Sequence, residues 1–461
     1  MLTYDLKKAP GLPLYEDLYR RIRQDILDGN LKPGEKLPSK RTLAQNLEVG
    51  KTTVEAAYGQ LLSEGYIRSQ EKVGFFVEEL QRSGPTSLPV PAPGEPPAPK
   101  PLLDLTANGT GHFPFSVWIR LQREVILDYG KDLLLPMPNQ GIPELRQAIA
   151  GHLGAFRGMA VDPECILIGA GTDFLYNLLI QLLGQDKVFA VEEPGYRKIR
   201  RIYAAGGVTC ISAPMDENGV RPDCLDHAQV LHISPSHHFP TGLVTPVNRR
   251  RELLDWAARA DRWIIEDDYD TEFRFQGRPK PAMCSMDPER VIYMNSFSKS
   301  LAPSIRISYA ILPQSLLRRF REKLGFYGCT VPSFEQYTLA RFLSRGYFEK
   351  HINRMRKFYQ ARRNRVIRML ETSSLAPRLT ILEQDAGLHF LVRVDTELSD
   401  QALVDRLEEA GIRVQTLSSF YAHPNPDSEH CLVVNYSGMD EEALARLLPE
   451  LEGLFDEKIS G

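Results

Sequence analysis

The chain has 461 residues, is 43% hydrophobic and 25% charged, and carries a formal net charge of −3, so it can bury a large core and is expected to divide into two or more domains. No apolar run approaches the roughly 20 residues of a membrane span and the N-terminus lacks a charged-then-apolar export pattern, which excludes a helical membrane protein and leaves the cytoplasm as the expected location. The cysteines Cys165, Cys210, Cys224, Cys284, Cys329 and Cys431 are too scattered for a disulfide framework or a zinc site and read as free thiols.

In chain order, Leu14, Leu18, Ile22 and Ile26 recur every four residues with charges between them, which predicts an amphipathic helix stopped by Gly29. Pro33-Gly34 makes a turn. Ser39, after Pro38, is placed to cap a short second helix running to Leu47, and Gly50 precedes a third in which Val54, Ala57 and Leu61 share a face as far as Gly65. Ile67–Val77 has strand residues broken around Lys72-Val73-Gly74, as a hairpin would be.

Three helices and a hairpin make a winged helix-turn-helix, a fold that sets the start of its last helix in the DNA major groove. Lys51, Thr52 and Thr53 stand at that start, a cation and two hydroxyls suited to phosphates and base edges, with Ser39 and Arg41 at the preceding helix and Gly74 at the wing as further DNA-contact candidates. Net charge does not argue for DNA, because residues 1–80 hold twelve Lys/Arg against twelve Asp/Glu. The imbalance is local: Lys32, Lys36, Lys40, Arg41 and Lys51 stand against Glu35 and Glu48. The competing reading of those residues alone is an ordinary solvated helix end.

The stretch from PLYEDLYRRIRQDILDGN through KPGEKLPS to LLSEGYIRSQEKVGFFV resembles a GntR-family DNA-binding domain over its whole length. The Ser-Arg pair that usually opens the recognition helix is Gly50-Lys51 here, which keeps the charge and loses the bidentate geometry that reads guanine. From Pro85 to Pro101, eight of seventeen residues are proline. That composition predicts a stiff, extended linker and sets the domains at 1–80, 81–102 and 103–461.

Beyond the linker, Cys165–Gly169, Val188–Val191, Val230–Ile233, Trp263–Asp267, Val291–Asn295 and Ser308–Leu312 read as buried strands leading into loops or helices, hence an α/β domain with a mostly parallel sheet. In such sheets ligands sit at the strands' carboxyl ends. Lys299 follows one strand in Ser296-Phe297-Ser298-Lys299, where a desolvated amine is suited to a Schiff base. Asp267 ends another and could pair with a pyridinium nitrogen, and Tyr269 could donate to a phenolate oxygen. Gly171-Thr172 opens a helix whose amides favour a phosphate, with Ser296, Ser298 and Arg306 adding hydroxyls and a guanidinium, and Tyr196 could stack on a ring. Each residue separately also has a plain structural reading as a cap, a turn or a core side chain.

Together, the segments EEPGY, SPSHHFPTG, IIEDDYDTEFRF and SFSKSLAPSIRISY are similar to fold-type I aminotransferases and look specifically like the MocR (GabR-like) subgroup, whose members carry this domain behind a GntR module. The resemblance implies an aspartate aminotransferase-like fold with a smaller C-terminal subdomain, pyridoxal 5'-phosphate as cofactor, and a homodimer on a double-stranded operator. It also implies roles: Lys299 as the aldimine lysine, Asp267 for the ring nitrogen, Tyr269 for the phenolate oxygen, Tyr196 for stacking, and Ser296, Ser298 and Arg306 for the phosphate.

The pattern departs from a working aminotransferase in three places. The late strand that should carry the substrate-carboxylate arginine is Cys431–Tyr436, without arginine; a second arginine is replaced by Lys198; and no tyrosine falls between Gly130 and Tyr176. Losing a bidentate clamp removes positioning as well as affinity. The expectation is therefore a transcription regulator that senses a small molecule, pyridoxal phosphate itself rather than an amino-acid-like compound, through Lys299. The alternatives are an active aminotransferase with an attached DNA-binding module, and a cofactor-free scaffold that binds DNA constitutively. The basic stretch His351–Leu370 is expected to be a solvated or subunit-facing helix, with supplementary DNA contact through Arg362 and Arg363 as the second reading.

Overall fold

A computed structural model describes residues 3, 4, 6, 13–79, 101–109, 112–275, 280–382, 387–451 and 455, and the chain divides into two units, Met1–Ala98 and Pro99–Gly461. The proline-rich linker, Pro101 and Leu102 apart, lies outside the described residues.

In the first unit, helix α1 (Leu14–Asp28) buries Leu18, Tyr19, Ile22 and Ile26 and stops at Gly29, whose φ of 79° is the left-handed conformation that glycine adopts without strain. A short strand β1 (Lys36–Leu37) leads to α2 (Lys40–Asn46), capped by the Ser39 hydroxyl, which accepts from the Thr42 N–H at 3.1 Å. Helix α3 (Lys51–Ser63) turns Val54, Ala57, Tyr58 and Leu61 into the core. Strands β2 (Ile67–Gln70) and β3 (Gly74–Val77) pair antiparallel, and β1 joins the other side of β3. Tyr58 ties α3 to both neighbours, donating to the Pro38 carbonyl at 3.0 Å and meeting Phe75 of the wing edge-on at 5.0 Å.

The second unit opens with strand β4 (Leu103–Asp104), then α4 (Phe115–Tyr129) and α5 (Pro143–Arg157). Strands β5 (Ile166–Gly169), β6 (Val188–Glu193), β7 (Thr209–Asp216), β8 (Gly219–Val220), β9 (Val230–Ile233), β10 (Trp263–Asp267), β11 (Val291–Ser296) and β12 (Ser308–Ile311) form one sheet in the order β5-β12-β11-β10-β9-β6-β7-β8. Pairs among β7, β6, β9, β10 and β11 are parallel, whereas β12 and β8 run antiparallel to their neighbours. Every residue of β10 and β11 is buried, as in a sheet covered on both faces. Helices α6 (Thr172–Leu183), α7 (Arg197–Ala205), α8 (Val247–Ala258), α9 (Met283–Met286) and α10 (Phe297–Ser300) fall between the strands. Glu266, buried within β10, accepts from the N–H groups of Met283 and Cys284 at the start of α9, at 3.0 and 2.9 Å, and faces Arg250 at 3.8 Å.

After α11 (Gln314–Lys323) and α12 (Ser333–Ser344), the long helix α13 (Tyr347–Glu371) leads to a smaller antiparallel sheet. Its strands are β13 (Leu379–Leu382), β14 (His389–Val394), β16 (Gln415–Thr416) and β17 (Cys431–Asn435), in the order β13-β14-β17-β16, with α14 (Asp400–Glu409) and α15 (Glu441–Leu447) beside them in sequence. Strand β15 (Ile412–Arg413) pairs in parallel with β4. No helix among the described residues is long and apolar enough to cross a membrane.

Candidate functional sites

In the first unit, Arg41, Lys51 and Thr52 are exposed and Thr53 is half-buried at the start of α3. Lys51 reaches its own helix neighbour Glu55 at 3.5 Å, an exposed pair worth a few tenths of a kcal/mol that a stronger anion would displace (about 0.3–0.5 for such a spacing). The Ser39 hydroxyl is engaged in its cap and also meets the Thr42 hydroxyl at 2.7 Å. At the wing, Gly74 has φ 136°, and a Cβ there would stand 3.1 Å from Lys36 Cε. Lys40 lies over the Phe75 ring at 5.2 Å. Lys36 and Lys40 thus join the wing to the helix pair, a placement that their spacing in sequence does not announce.

In the second unit, the register Asp267↔Met294, Ser296↔Ser308 and Ser308↔Gly169 brings the carboxyl ends of β10, β11 and β5 to one edge of the sheet. Lys299 stands there, half-buried, and its Nζ donates to Asn108 Oδ1 at 2.6 Å. Burial holds its ammonium below the usual lysine pKa, with the Asp270 carboxylate pulling the other way. The same Asn108 oxygen accepts from Asn435 Nδ2 at 3.0 Å, so the end of β17 reaches the lysine through an amide.

Asp267 is 5% exposed. Its Oδ2 accepts from the Tyr176 hydroxyl at 2.5 Å, with His232 Nε2 at 3.6 Å, while its Oδ1 has no hydrogen-bond partner among the described residues. Burial and the Asp267 carboxylate push the Tyr176 phenol well above its usual range, so it remains a donor. Tyr269, half-buried, has its hydroxyl 3.4 Å from His237 Nδ1, which sits 2.9 Å from Asp270.

At the phosphate-favouring end, α6 begins at Thr172 behind Gly171, whose φ is 87°. A Cβ on Gly171 would lie 2.3 Å from Arg306 Nη2, so glycine is required for that guanidinium to cross the turn. Arg306 Nη2 approaches Asp173 Oδ2 at 3.4 Å, and Lys198 Nζ meets the same oxygen at 2.7 Å. Ser296 is turned inward: its hydroxyl accepts from the Ser298 N–H at 3.2 Å and from Ser308 at 2.8 Å, and donates to the Ser298 hydroxyl at 3.0 Å. Ser298 is the more accessible of the two. Tyr196 is 51% exposed and edge-on to Phe239 at 5.9 Å, apart from the contacts of Lys299 and Asp267.

Behind these groups lies a cluster that sequence reasoning missed. His238 Nε2 comes within 3.6 Å of Glu192 Oε2, which accepts from the Ser234 N–H at 2.9 Å. Burial pushes Glu192 up to about 8 and, with His237 beside it, pushes His238 down to about 3, so both are mostly neutral at pH 7. Because the Glu192 carboxyl binds its proton more tightly folded than unfolded, it contributes stability that is full below about 4.5 and is lost as pH rises towards about 8. Glu192→Gln should therefore melt with a shallower pH dependence across that window, by about 1.4 kcal/mol per pH unit for one proton. Thermal unfolding of both proteins across the window checks this, and parallel curves would refute it.

The basic stretch on α13 is mostly engaged within the unit. Arg362 donates to the Ser437 carbonyl at 2.7 Å and to Glu441 at 3.0 Å, Arg363 packs over Phe275 at 4.8 Å, and Arg356 donates to the Glu272 carbonyl at 2.5 Å. A DNA contact through Arg362 and Arg363 is not what this arrangement offers; both side chains are committed to their own fold.

Comparisons agree with this layout. Residues 14–77 match the family described as bacterial regulatory proteins, gntR family, and residues 100–451 match aminotransferase class I and II. The chain is 32% identical to the probable rhizopine catabolism regulatory protein MocR of Rhizobium meliloti, across 98% of this chain and 95% of the relative. It is 31% identical to the pyridoxine biosynthesis transcriptional regulator PdxR of Corynebacterium glutamicum, across 94% of each. Among solved structures it is similar in fold to the kynurenine aminotransferase of Pyrococcus horikoshii, with a TM-score of 0.67, 24% identity, and coverage of 78% of this chain and 91% of that one.

Proposed function

Because the chain belongs to the MocR/GabR-type GntR transcription regulators, we propose that its aminotransferase-like domain holds pyridoxal phosphate on Lys299 as a signal and relays occupancy to the winged helix, without turning over an amino acid. The observation that carries this reading is the company Lys299 keeps. Its amine meets Asn108, itself held by Asn435 of β17, the strand that carries no arginine although a substrate-binding one would be expected there. An amide there offers no charge to a substrate carboxylate.

The side chains fit the cofactor. Asp267 keeps a buried oxygen without a partner among the described residues, as a ring N–H requires, while Tyr176 fixes its other oxygen. Burial lowers the pKa of Lys299, against the pull of Asp270, which favours its role as the amine. Tyr269 has a hydroxyl for the phenolate oxygen and Tyr196 an aromatic face for stacking; Gly171, Thr172 and Arg306 meet at the start of α6 to receive the phosphate, and Ser298, hydrogen-bonded to Ser296, adds a hydroxyl. When bound, pyridoxal phosphate supplies an aldehyde for an amine and a ring that draws electrons from it.

The name of the Corynebacterium relative, a pyridoxine biosynthesis regulator, supports pyridoxal phosphate itself as the effector and vitamin B6 synthesis or uptake as the regulated process. The test is fluorescence anisotropy of the stripped protein on its own upstream DNA, with and without pyridoxal phosphate. A change in affinity is expected. Binding indifferent to the cofactor, or steady release of a keto acid from an amino acid at about one turnover per second or faster, would overturn the reading.

On the DNA side, Arg41, Lys51, Thr52 and Thr53 form the contact surface, with Gly74 placing the wing and Ser39 holding α2 in position. Lys51→Ala should weaken binding to all sequences alike and lower the slope of log affinity against log salt by about one. A titration at several salt concentrations reads both, and an unchanged slope removes Lys51 from the interface. The assembly is a homodimer on two half-sites. Exposed Phe115, Ile119 and Ile126 along one side of α4 supply an apolar surface suited to a second copy, which sedimentation would detect.

A further inference from the structure

We infer that Asp173 limits how tightly the site holds a phosphorylated ligand, because its carboxylate, which also meets Lys198, engages Arg306, the cation that a phosphate at the start of α6 would use. The inference rests on the reading of this site as the pyridoxal-phosphate site.

A single oxygen, Asp173 Oδ2, receives Lys198 Nζ at 2.7 Å and Arg306 Nη2 at 3.4 Å. All three side chains are open to solvent, 34% exposed for Asp173, 48% for Lys198 and 50% for Arg306, so they form the rim of the site. The backbone sets Arg306 in this position: its own φ is 50°, after the turn Pro303–Ile305, and Gly171 leaves the gap it crosses. Asp173 is the second residue of α6, where an acidic group also complements the exposed N–H groups of the helix. Without ligand, Asp173 plays the part of the anion. A phosphate arriving there must draw Arg306 away from the carboxylate or share it, and in either case approaches a like charge.

A site that holds its cofactor permanently gains nothing from that competitor. A site that reports concentration needs release, and Asp173 supplies it. The carboxylate acts on the phosphate and not on the ring, so it also lowers the preference for phosphorylated over unphosphorylated ligand.

The test uses the full-length protein stripped of cofactor and titrated with pyridoxal phosphate and, separately, with pyridoxal, following absorbance. Asp173→Asn keeps the shape and removes the charge. It should tighten pyridoxal phosphate about tenfold and slow its loss on dialysis, the effect of freeing one charge-assisted contact, while leaving pyridoxal unchanged. Asp173→Glu should keep the wild-type preference. If the amide variant is unstable, Asp173→Ser makes the same comparison. Equal tightening of both ligands, or phosphate binding that is unchanged or weaker, overturns the inference while leaving the cofactor reading intact. A wild-type chain in which borohydride fixes no pyridoxal on Lys299 overturns both.

Discussion

Lys299→Ala is expected to abolish covalent capture of pyridoxal phosphate and, with it, the effect of the cofactor on DNA affinity, while DNA binding by the cofactor-free protein stays within about twofold of wild type (roughly 0.4 kcal/mol). The reason for the last part is local. The lysine is half-buried and its charge is disfavoured by burial, so removing it relieves a desolvated cation. Asn108 Oδ1 keeps its bond from Asn435. The variant should therefore fold, and any loss of response belongs to the missing amine. Anisotropy with increasing pyridoxal phosphate and mass measurement after borohydride check the two halves. A variant that still responds would mean that the signal does not pass through the amine.

The largest effect on stability is expected at Asp268, between the two residues assigned to the cofactor ring. Its carboxylate pairs with Arg157 at 2.9 Å with both side chains almost fully buried, 2% and 0% exposed. It also accepts from the Tyr293 hydroxyl at 2.6 Å and from the Thr271 hydroxyl. Asp268→Ala leaves a buried guanidinium whose Nε and Nη1 already lack hydrogen-bond partners among the described residues. Breaking one side of such a pair costs about 3–5 kcal/mol. For a domain this large, that is a fall in the unfolding midpoint on the order of 5–10 °C. Adding Arg157→Met to Asp268→Ala removes the stranded charge and should recover a large part of the loss. Scanning calorimetry of the three proteins decides it: a double variant no more stable than the single one would show that the buried charge is not the source of the cost.

The elements that the sequence announced are those whose residues satisfy local rules. Gly29 at a helix end, Ser39 before a helix and the all-apolar cores of β10 and β11 announce themselves because caps and two-sided burial leave a mark within a few residues. Strand β7 gave no such mark: Thr209–Asp216 mixes polar, small and apolar residues without a regular period, contains Pro214 and lies next to last in its sheet, where little burial is demanded. Within the site, Lys299 and Asp267 were legible because each follows an apolar strand. Asn108 was not, lying 191 residues from the lysine it binds, nor was Tyr176, 91 residues from Asp267. Such partners are set by topology and leave no spacing to read. Arg362 and Arg363 show the converse: a run of arginines records charge but not the direction in which each side chain turns.

The shared oxygen of Asn108 has a mechanical consequence. Asn108 stands seven residues beyond Pro101, where the chain emerges from its linker, on the segment that follows β4. Lys299 and Asn435 are its two donors, so that segment is moored partly by the ammonium itself. Whatever consumes the amine unties one of the two. The Asn435 amide holds the other, so the root of the tether stays in place when the amine alone is lost and yields only to a ligand that displaces both donors.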